Sequence, residues 1–245
     1  MQIVKEKKAL VEELRRGLAG YSAGQLLSNF LESFQGRIVL ASSMAAEDQV
    51  LTDMICKTHP QTRIITLDTG RLPQETYDVI EATQKHYGVK IKVLFPDYKQ
   101  VEKMIDEHGP NLFFQSVQNR KLCCHIRKIE PLKRATEGMA VWICGLRKAQ
   151  SVTRTELEPI AWDEQFGLIK LSPLLDWTIE QVWDYIRQNN VPCNSLHDKG
   201  YPSIGCTPCT RAVRQGQGIR DGRWWWEAPE QKECGLHWNS QGDKQ

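Results

Sequence analysis

Strand-like and helix-like segments alternate from Ile38 to Cys144, and this alternation leaves the chain few folds to choose from. Ile38-Val39-Leu40-Ala41, Arg63-Ile64-Ile65-Thr66-Leu67, Lys90 to Phe95 and Ala140-Val141-Trp142-Ile143-Cys144 are short, mostly apolar runs of strand length. Between them Glu47 to Cys56, Pro73 to Tyr87, Tyr98 to His108 and Cys123 to Ala135 read as helices. Pro73 stands in a first turn, where its missing N–H is not needed, and Gly109-Pro110 closes the third helix. The fourth reads as helical up to or around Pro131. Strand–helix alternation predicts an α/β fold: a parallel twisted sheet flanked by helices on both faces. Lys5 to Leu18 has helical spacing, and Ser22 with Gln25 forms a capping box for a second helix ended by Gly36. Glu156 to Ala161 and Leu168 to Leu171 read as short paired strands, and Thr178 with Gln181 caps a later helix. From Val191 onward the chain is rich in loops.

In a parallel sheet, ligands bind beyond the carboxyl ends of the strands. Here those ends are Ser42-Ser43, Leu67-Asp68-Thr69-Gly70 and Gly145-Leu146-Arg147. A loop of small residues entering a helix offers N–H groups and a positive dipole end to a phosphate. Each loop alone is also an ordinary strand–helix turn; three together favour a nucleotide. No Gly-Lys-Ser/Thr is present, so the loop is not a Walker A sequence. The expected organisation is 1–36 as N-terminal helices, 37–204 as a nucleotide-binding α/β domain, and 205–245 as a C-terminal segment of the same structural unit.

The 245 residues carry a formal net charge of +2, which gives no bulk attraction to nucleic acid or membrane. No run approaches a membrane span, and Met1 to Lys8 turns charged at once, without a secretory core. The expected compartment is the cytoplasm, where thiols stay reduced. Eight cysteines there point to metal or catalytic use rather than disulfides. Cys206-x-x-Cys209 has a chelating spacing, and Cys123-Cys124 is a tandem pair. Four thiolates suit a [4Fe–4S] cluster or a structural zinc, and the tandem pair tips the choice toward iron–sulfur. Single buried cysteines are common core residues, which suits Cys56, Cys144 and Cys193. Cys234, beside His237, is left over as the candidate nucleophile.

Several long motifs in one order now carry a resemblance. They are Cys123-Cys124 with Arg127-Lys128, Asn194-Ser195-Leu196-His197, Ser203 to Arg211, Gly222-Arg223-Trp224-Trp225-Trp226-Glu227 and Lys232-Glu233-Cys234-Gly235-Leu236-His237. Glu47-Asp48 and Leu67 to Pro73 add to it. The chain resembles the assimilatory sulfonucleotide reductases, specifically the cluster-containing, thioredoxin-dependent adenylyl-sulfate (APS) reductases, from about Phe34 to His237. The resemblance implies a fold like that of the adenine-nucleotide α-hydrolases. It implies a [4Fe–4S] cluster on Cys123, Cys124, Cys206 and Cys209, and attack of Cys234 on the sulfur of APS. Thioredoxin would supply the electrons, releasing sulfite and AMP through an S-sulfocysteine in sulfate assimilation and cysteine biosynthesis. By position, Lys128, Arg220, Arg223 and His237 match phosphosulfate-binding residues, and Ser42, Leu67 and Gly145 match positions near the adenosine. Two departures bear on the nucleotide. Ala45 stands where the family carries Gly before Ala-Glu-Asp, and Lys148-Ala149 replaces a typical Arg-Asp.

The chemistry wants these residue types. Attack at the sulfur of a phosphate–sulfate anhydride needs a soft nucleophile, which a thiolate is. Cations at His237, Arg220 and Arg223 would favour that thiolate and hold the phosphosulfate oxygens. Trp224-Trp225-Trp226 reads as a packing anchor for the tail. No second cysteine lies within ten residues of Cys234, so its release requires an external dithiol. A reductase for 3′-phospho-APS, or a zinc-stabilised nucleotide-binding protein without catalysis, are the alternatives. The sequence leaves the oligomeric state open, a homo-oligomer included.

Overall fold

The computed structural model describes residues 2–150, 157–214, 216–228 and 232. Its elements run α1 Gln2–Gly17, α2 Ala23–Ser33, β1 Ile38–Ser42, α3 Ala46–Thr58, β2 Arg63–Leu67, α4 Gln74–Tyr87 and β3 Ile91–Leu94. They continue with α5 Tyr98–His108, α6 Val117–Cys124, α7 Glu130–Thr136, β4 Val141–Ile143, β5 Ile160–Asp163, β6 Leu168–Leu171 and α8 Ile179–Asn189. The six strands form one sheet in the order β3-β2-β1-β4-β6-β5. β1 pairs in parallel with β2 and β4, and β4 with β6. This is the α/β architecture expected from the alternation. The edge strand β5 runs antiparallel to β6 through a tight turn that Asp163 closes. Its side chain accepts from the N–H groups of Gln165 and Phe166, and its carbonyl from that of Gly167. No described helix is long and apolar enough to cross a membrane.

Local signals placed the helix ends. Ser22 Oγ accepts from Gln25 N while Gln25 Oε1 accepts from Ser22 N, and Thr178 and Gln181 repeat the exchange. Each box satisfies two N–H groups that a first turn otherwise leaves bare. The helix bearing the tandem cysteines differs from expectation. It does not stop at Pro131: between α6 and α7 the chain makes a π turn over His125–Ile129, with Glu130 N donating to His125 O. Pro131 then falls in the first turn of α7, where no N–H is required.

The chain forms two compact units interleaved in sequence. The first comprises Met1–Thr66, Gln74–Lys92 and Thr136–Ser195. Its core joins Leu40, Val141, Ile143 and Leu171 of the sheet to Phe30, Leu31, Val50, Leu51, Ile55 and Val182 of the helices. The first eight residues of α3 are all buried, so its polar side chains must find partners inside. Gln49 Nε2 donates to Thr83 Oγ1 and to Pro192 O, both at 2.7 Å. Asp53 accepts from the hydroxyls of Tyr87 and Tyr185 and pairs with Lys57. The second unit comprises Leu67–Pro73, Val93–Ala135 and the described residues of Leu196–Gln245. Its core gathers Met104, Leu112, Phe113, Cys123, Cys209 and Trp224.

Candidate active site

In the first unit the ends of β1 and β4 meet over Asp48. Ser43 donates to Asp48 Oδ2 from its backbone N and from Oγ, each at 2.6 Å. Gly145 N donates to Oδ1 at 2.8 Å, and Ser42 Oγ accepts from Met44 N at 3.1 Å. A Cβ at position 145 would overlap Asp48 Oδ1, so glycine is required there by packing alone. Ala45 has φ −84, an ordinary conformation that accommodates its Cβ. The left-handed residue of this loop is Met44, at φ 61 and fully buried. Arg147 is also committed: only 1 % exposed, it donates from Nε to Glu47 Oε1 at 2.8 Å. Lys148, the other departure, pairs with Asp176 at 2.9 Å.

Burial pushes the Asp48 carboxyl up to about 6, with the Ser43 and Gly145 donors pulling the other way. Because the folded value lies above the unfolded one, folding takes up a proton here. The stability contributed is full below the ordinary value of 3.8 and is lost as pH rises through about 6. An Asp48→Asn variant is expected to lose that fall when urea midpoints are followed from pH 4 to about 7.

In the second unit four cysteines far apart in sequence line one cavity. Cys123 and Cys124 approach from the end of α6, Cys206 and Cys209 from a short 3₁₀ turn, and all four are free thiols. Thr69 Oγ1 lies 3.2 Å from Cys206 Sγ, and Thr207 N donates to Arg71 O. Burial pushes the Cys123 thiol up, with Arg127 the strongest opposing charge, and raises Cys209 to about 12. A metal that binds thiolates displaces such protons outright. Among the described residues no three His, Cys, Asp or Glu side chains converge as a single metal ion requires.

Cations complete the wall. Lys128, Arg127, Arg71 and Arg120 face the cavity. The Trp224 ring, 1 % exposed, has the guanidinium carbons of Arg120 and Arg223 at 4.6 Å and that of Arg220 at 5.5 Å. Its Nε1 is buried without a partner among the described residues, in a core shared with Cys123 and Cys209. Arg223 is 6 % exposed, not a solvated loop charge. It donates to Cys209 O at 3.3 Å and Ile204 O at 3.0 Å, and Gly205 leaves no room for a Cβ beside its guanidinium. Arg220 donates to Lys232 O at 2.8 Å. Trp224 is buried, and Trp226 packs edge-on to Phe114 at 4.4 Å, so the tryptophan run is a packing anchor.

The second unit thus holds Lys128, Arg220, Arg223, Leu67 and the four cysteines, and the first holds Ser42 and Gly145. Cys234 and His237 lie outside the described residues. Sequence reasoning missed Arg120 and gave Glu227 no role of its own. Arg120 donates from Nε and Nη2 to the two oxygens of Glu227 at 3.0 and 2.7 Å, wholly buried. Its signal was present: Arg120, Cys123, Cys124 and Arg127 recur at helical spacing.

Residues 37–212 match the family model described as the phosphoadenosine phosphosulfate reductase domain. A protein named adenosine 5′-phosphosulfate reductase from Allochromatium vinosum is 50% identical over 216 residues, 88% of this chain and 84% of its own length. One of the same name from Burkholderia cepacia is 49% identical over 201 residues, covering 82% and 80%. Among solved structures, a phosphoadenylyl-sulfate reductase from Candida auris superposes with a TM-score of 0.69 at 29% identity, over 83% of this chain and 96% of that one.

Proposed function

The chain belongs to the phosphoadenosine phosphosulfate reductase domain family, and from that membership we propose that it reduces adenosine 5′-phosphosulfate (APS) to sulfite and AMP. The electrons come from a thioredoxin, and the reaction serves sulfate assimilation toward cysteine. The observation that carries the reading is the cavity lined by Cys123, Cys124, Cys206 and Cys209 and bordered by Lys128, in a chain half identical to a protein named for this activity. Relatives at 42–50% identity are named adenosine 5′-phosphosulfate reductases, which favours APS over its 3′-phosphorylated form.

The cycle has two steps. The Cys234 thiolate attacks the sulfur of APS; a bond forms between Sγ and that sulfur, the sulfur–oxygen bond to phosphate breaks, and AMP leaves with that electron pair. Lys128, Arg220, Arg223 and His237 hold the phosphosulfate oxygens, and Ser42, Leu67 and Gly145 border the adenosine. A thioredoxin thiolate then attacks Cys234 Sγ, sulfite leaves with the S–S electron pair, and the second thioredoxin thiol resolves the mixed disulfide. Two thiols are oxidised and one sulfur is reduced. The four cysteines supply the thiolate set of a [4Fe–4S] cluster and would hold it. When bound, the cluster supplies a fixed local charge beside the substrate cations.

Sulfite release from APS and from 3′-phospho-APS, each with reduced thioredoxin, tests the substrate. Faster turnover of the 3′-phosphorylated compound would overturn the assignment. Anaerobically prepared protein is expected to carry about four irons per chain with matching labile sulfide. Stoichiometric zinc without iron would instead support the non-catalytic alternative.

A further inference from the structure

Release of sulfite from Cys234 needs a second protein, and the second unit carries a surface on which one can land. In the 3₁₀ turn Leu112–Phe114, Phe113 is 1 % exposed but Phe114 is 46 % exposed. The Phe114 ring stands edge-on to Trp226 at 4.4 Å and lies 6.3 Å from Trp225. The two indoles meet edge-on at 4.8 Å, and both are half-buried. Arg211 is exposed, with its guanidinium carbon 5.0 Å over the Trp225 ring and no carboxylate partner among the described residues. All of these residues belong to the second unit.

The same aromatic run anchors the chain just ahead of Cys234. Arg220 holds Lys232 O at 2.8 Å, and its guanidinium carbon is 5.5 Å from the Trp224 ring. Two residues of chain span at most about 7 Å. A thiol that attacks Cys234 while that bond holds must therefore come close to the tryptophan run.

We propose that the face formed by Phe114, Trp225 and Trp226, with Arg211 at its edge, is where reduced thioredoxin docks to discharge Cys234. The inference rests on the two-step cycle above. Interfaces that form and part are built on aromatic and arginine anchors, and this face supplies both. The unpaired charge of Arg211 fits a donor whose thiol sits in an apolar surface with acidic side chains at its rim, and it would steer the approach. Once docked, the donor's thiolate bonds to Cys234 Sγ and sulfite leaves with the S–S electron pair. The donor's second thiol then displaces Cys234 as a thiolate and closes the donor's disulfide.

The two half-reactions separate docking from chemistry. Wild type, Phe114→Ala and Arg211→Glu are charged with APS, followed by intact mass, then discharged with reduced thioredoxin or with dithiothreitol. Charging of Cys234 and release by dithiothreitol are expected within about twofold of wild type in both variants, as for ordinary surface changes. The thioredoxin concentration for half-maximal release is expected to rise about tenfold in Phe114→Ala, the scale for losing an interface anchor. Arg211→Glu is expected to slow release by thioredoxin at low salt and to flatten its dependence on ionic strength. An unchanged response to thioredoxin in both variants would overturn the proposal. Slowed charging, or release by dithiothreitol slowed as much as release by thioredoxin, would also overturn it and place the chain's own tail on this face. A changed solution mass with an unchanged thioredoxin response would overturn it in favour of a second copy of the chain. Wild type discharged no faster by thioredoxin than by dithiothreitol at equal concentration would overturn the thioredoxin reading, and the docking surface with it.

Discussion

Replacing Cys234 with serine is expected to stop sulfite release while iron content and APS affinity stay at wild-type values. Seven of the eight cysteines have other places in the molecule. Four line the cavity. Cys144 is buried, with Sγ 3.3 Å from Ser172 Oγ. Burial and the nearby Asp53 push Cys56 up to about 11, which leaves almost no thiolate at neutral pH. Cys193 packs against the core of the first unit. A serine hydroxyl is a hard and far weaker nucleophile, so turnover should fall to the assay background. Wild-type protein given APS without thioredoxin should gain one sulfonate on a peptide containing Cys234, and reduced thioredoxin should remove it. Intact-mass measurement decides. Added mass on Cys56, Cys144 or Cys193, or turnover by the serine variant, would sink this mechanism.

The second large effect concerns stability. Glu227→Gln is expected to destabilise the protein by about 3–5 kcal/mol, the cost of leaving a buried charge without its counter-ion. The Arg120 and Glu227 side chains are 0% and 2% exposed, and Arg120 is stacked on Trp224, so water cannot take over from the lost carboxylate. Replacing both partners, as Arg120→Met with Glu227→Leu, should recover most of the loss, because an apolar pair leaves no charge stranded. Urea titrations of the three variants beside wild type provide the check. A loss below about 1 kcal/mol in Glu227→Gln would mean that solvent reaches the pair. The pair joins the helix of Cys123 and Cys124 to the last tryptophan stretch ahead of Cys234, so stability and the sulfonation step are expected to weaken together.

Much of the fold was legible because its signals are short-range. The capping boxes at Ser22 and Thr178 act across three residues, and the strand runs of β1, β2 and β4 are contiguous. The π turn was not legible: Pro131 reads as a stop, and only the surrounding packing decides whether the helix skips a hydrogen bond and continues. The loop after β1 shows the same limit. Ala45 reads as a departure from glycine in the phosphate loop, and only the structure shows that the left-handed position falls on Met44, whose side chain the core encloses. Arg223 is singled out by resemblance as a phosphosulfate-binding residue, and only the structure shows its guanidinium donating to the carbonyls of Ile204 and Cys209.

Sequence alone determined the donor chemistry and the architecture: four cysteines in two chelating pairs, a fifth beside a histidine, and alternation that demands a parallel sheet. These follow from residue type and near-neighbour spacing, which capping, periodicity and thiol chemistry read directly. Tertiary structure alone decided which groups share a space. It gathered Cys123 and Cys124 with Cys206 and Cys209 around one cavity and placed Arg127 in its wall. It also paired Arg120 with Glu227 across 107 residues, and Arg147 with Glu47 across 100. Coulomb attraction and desolvation depend on separation in space and on burial, and neither is set by distance along the chain.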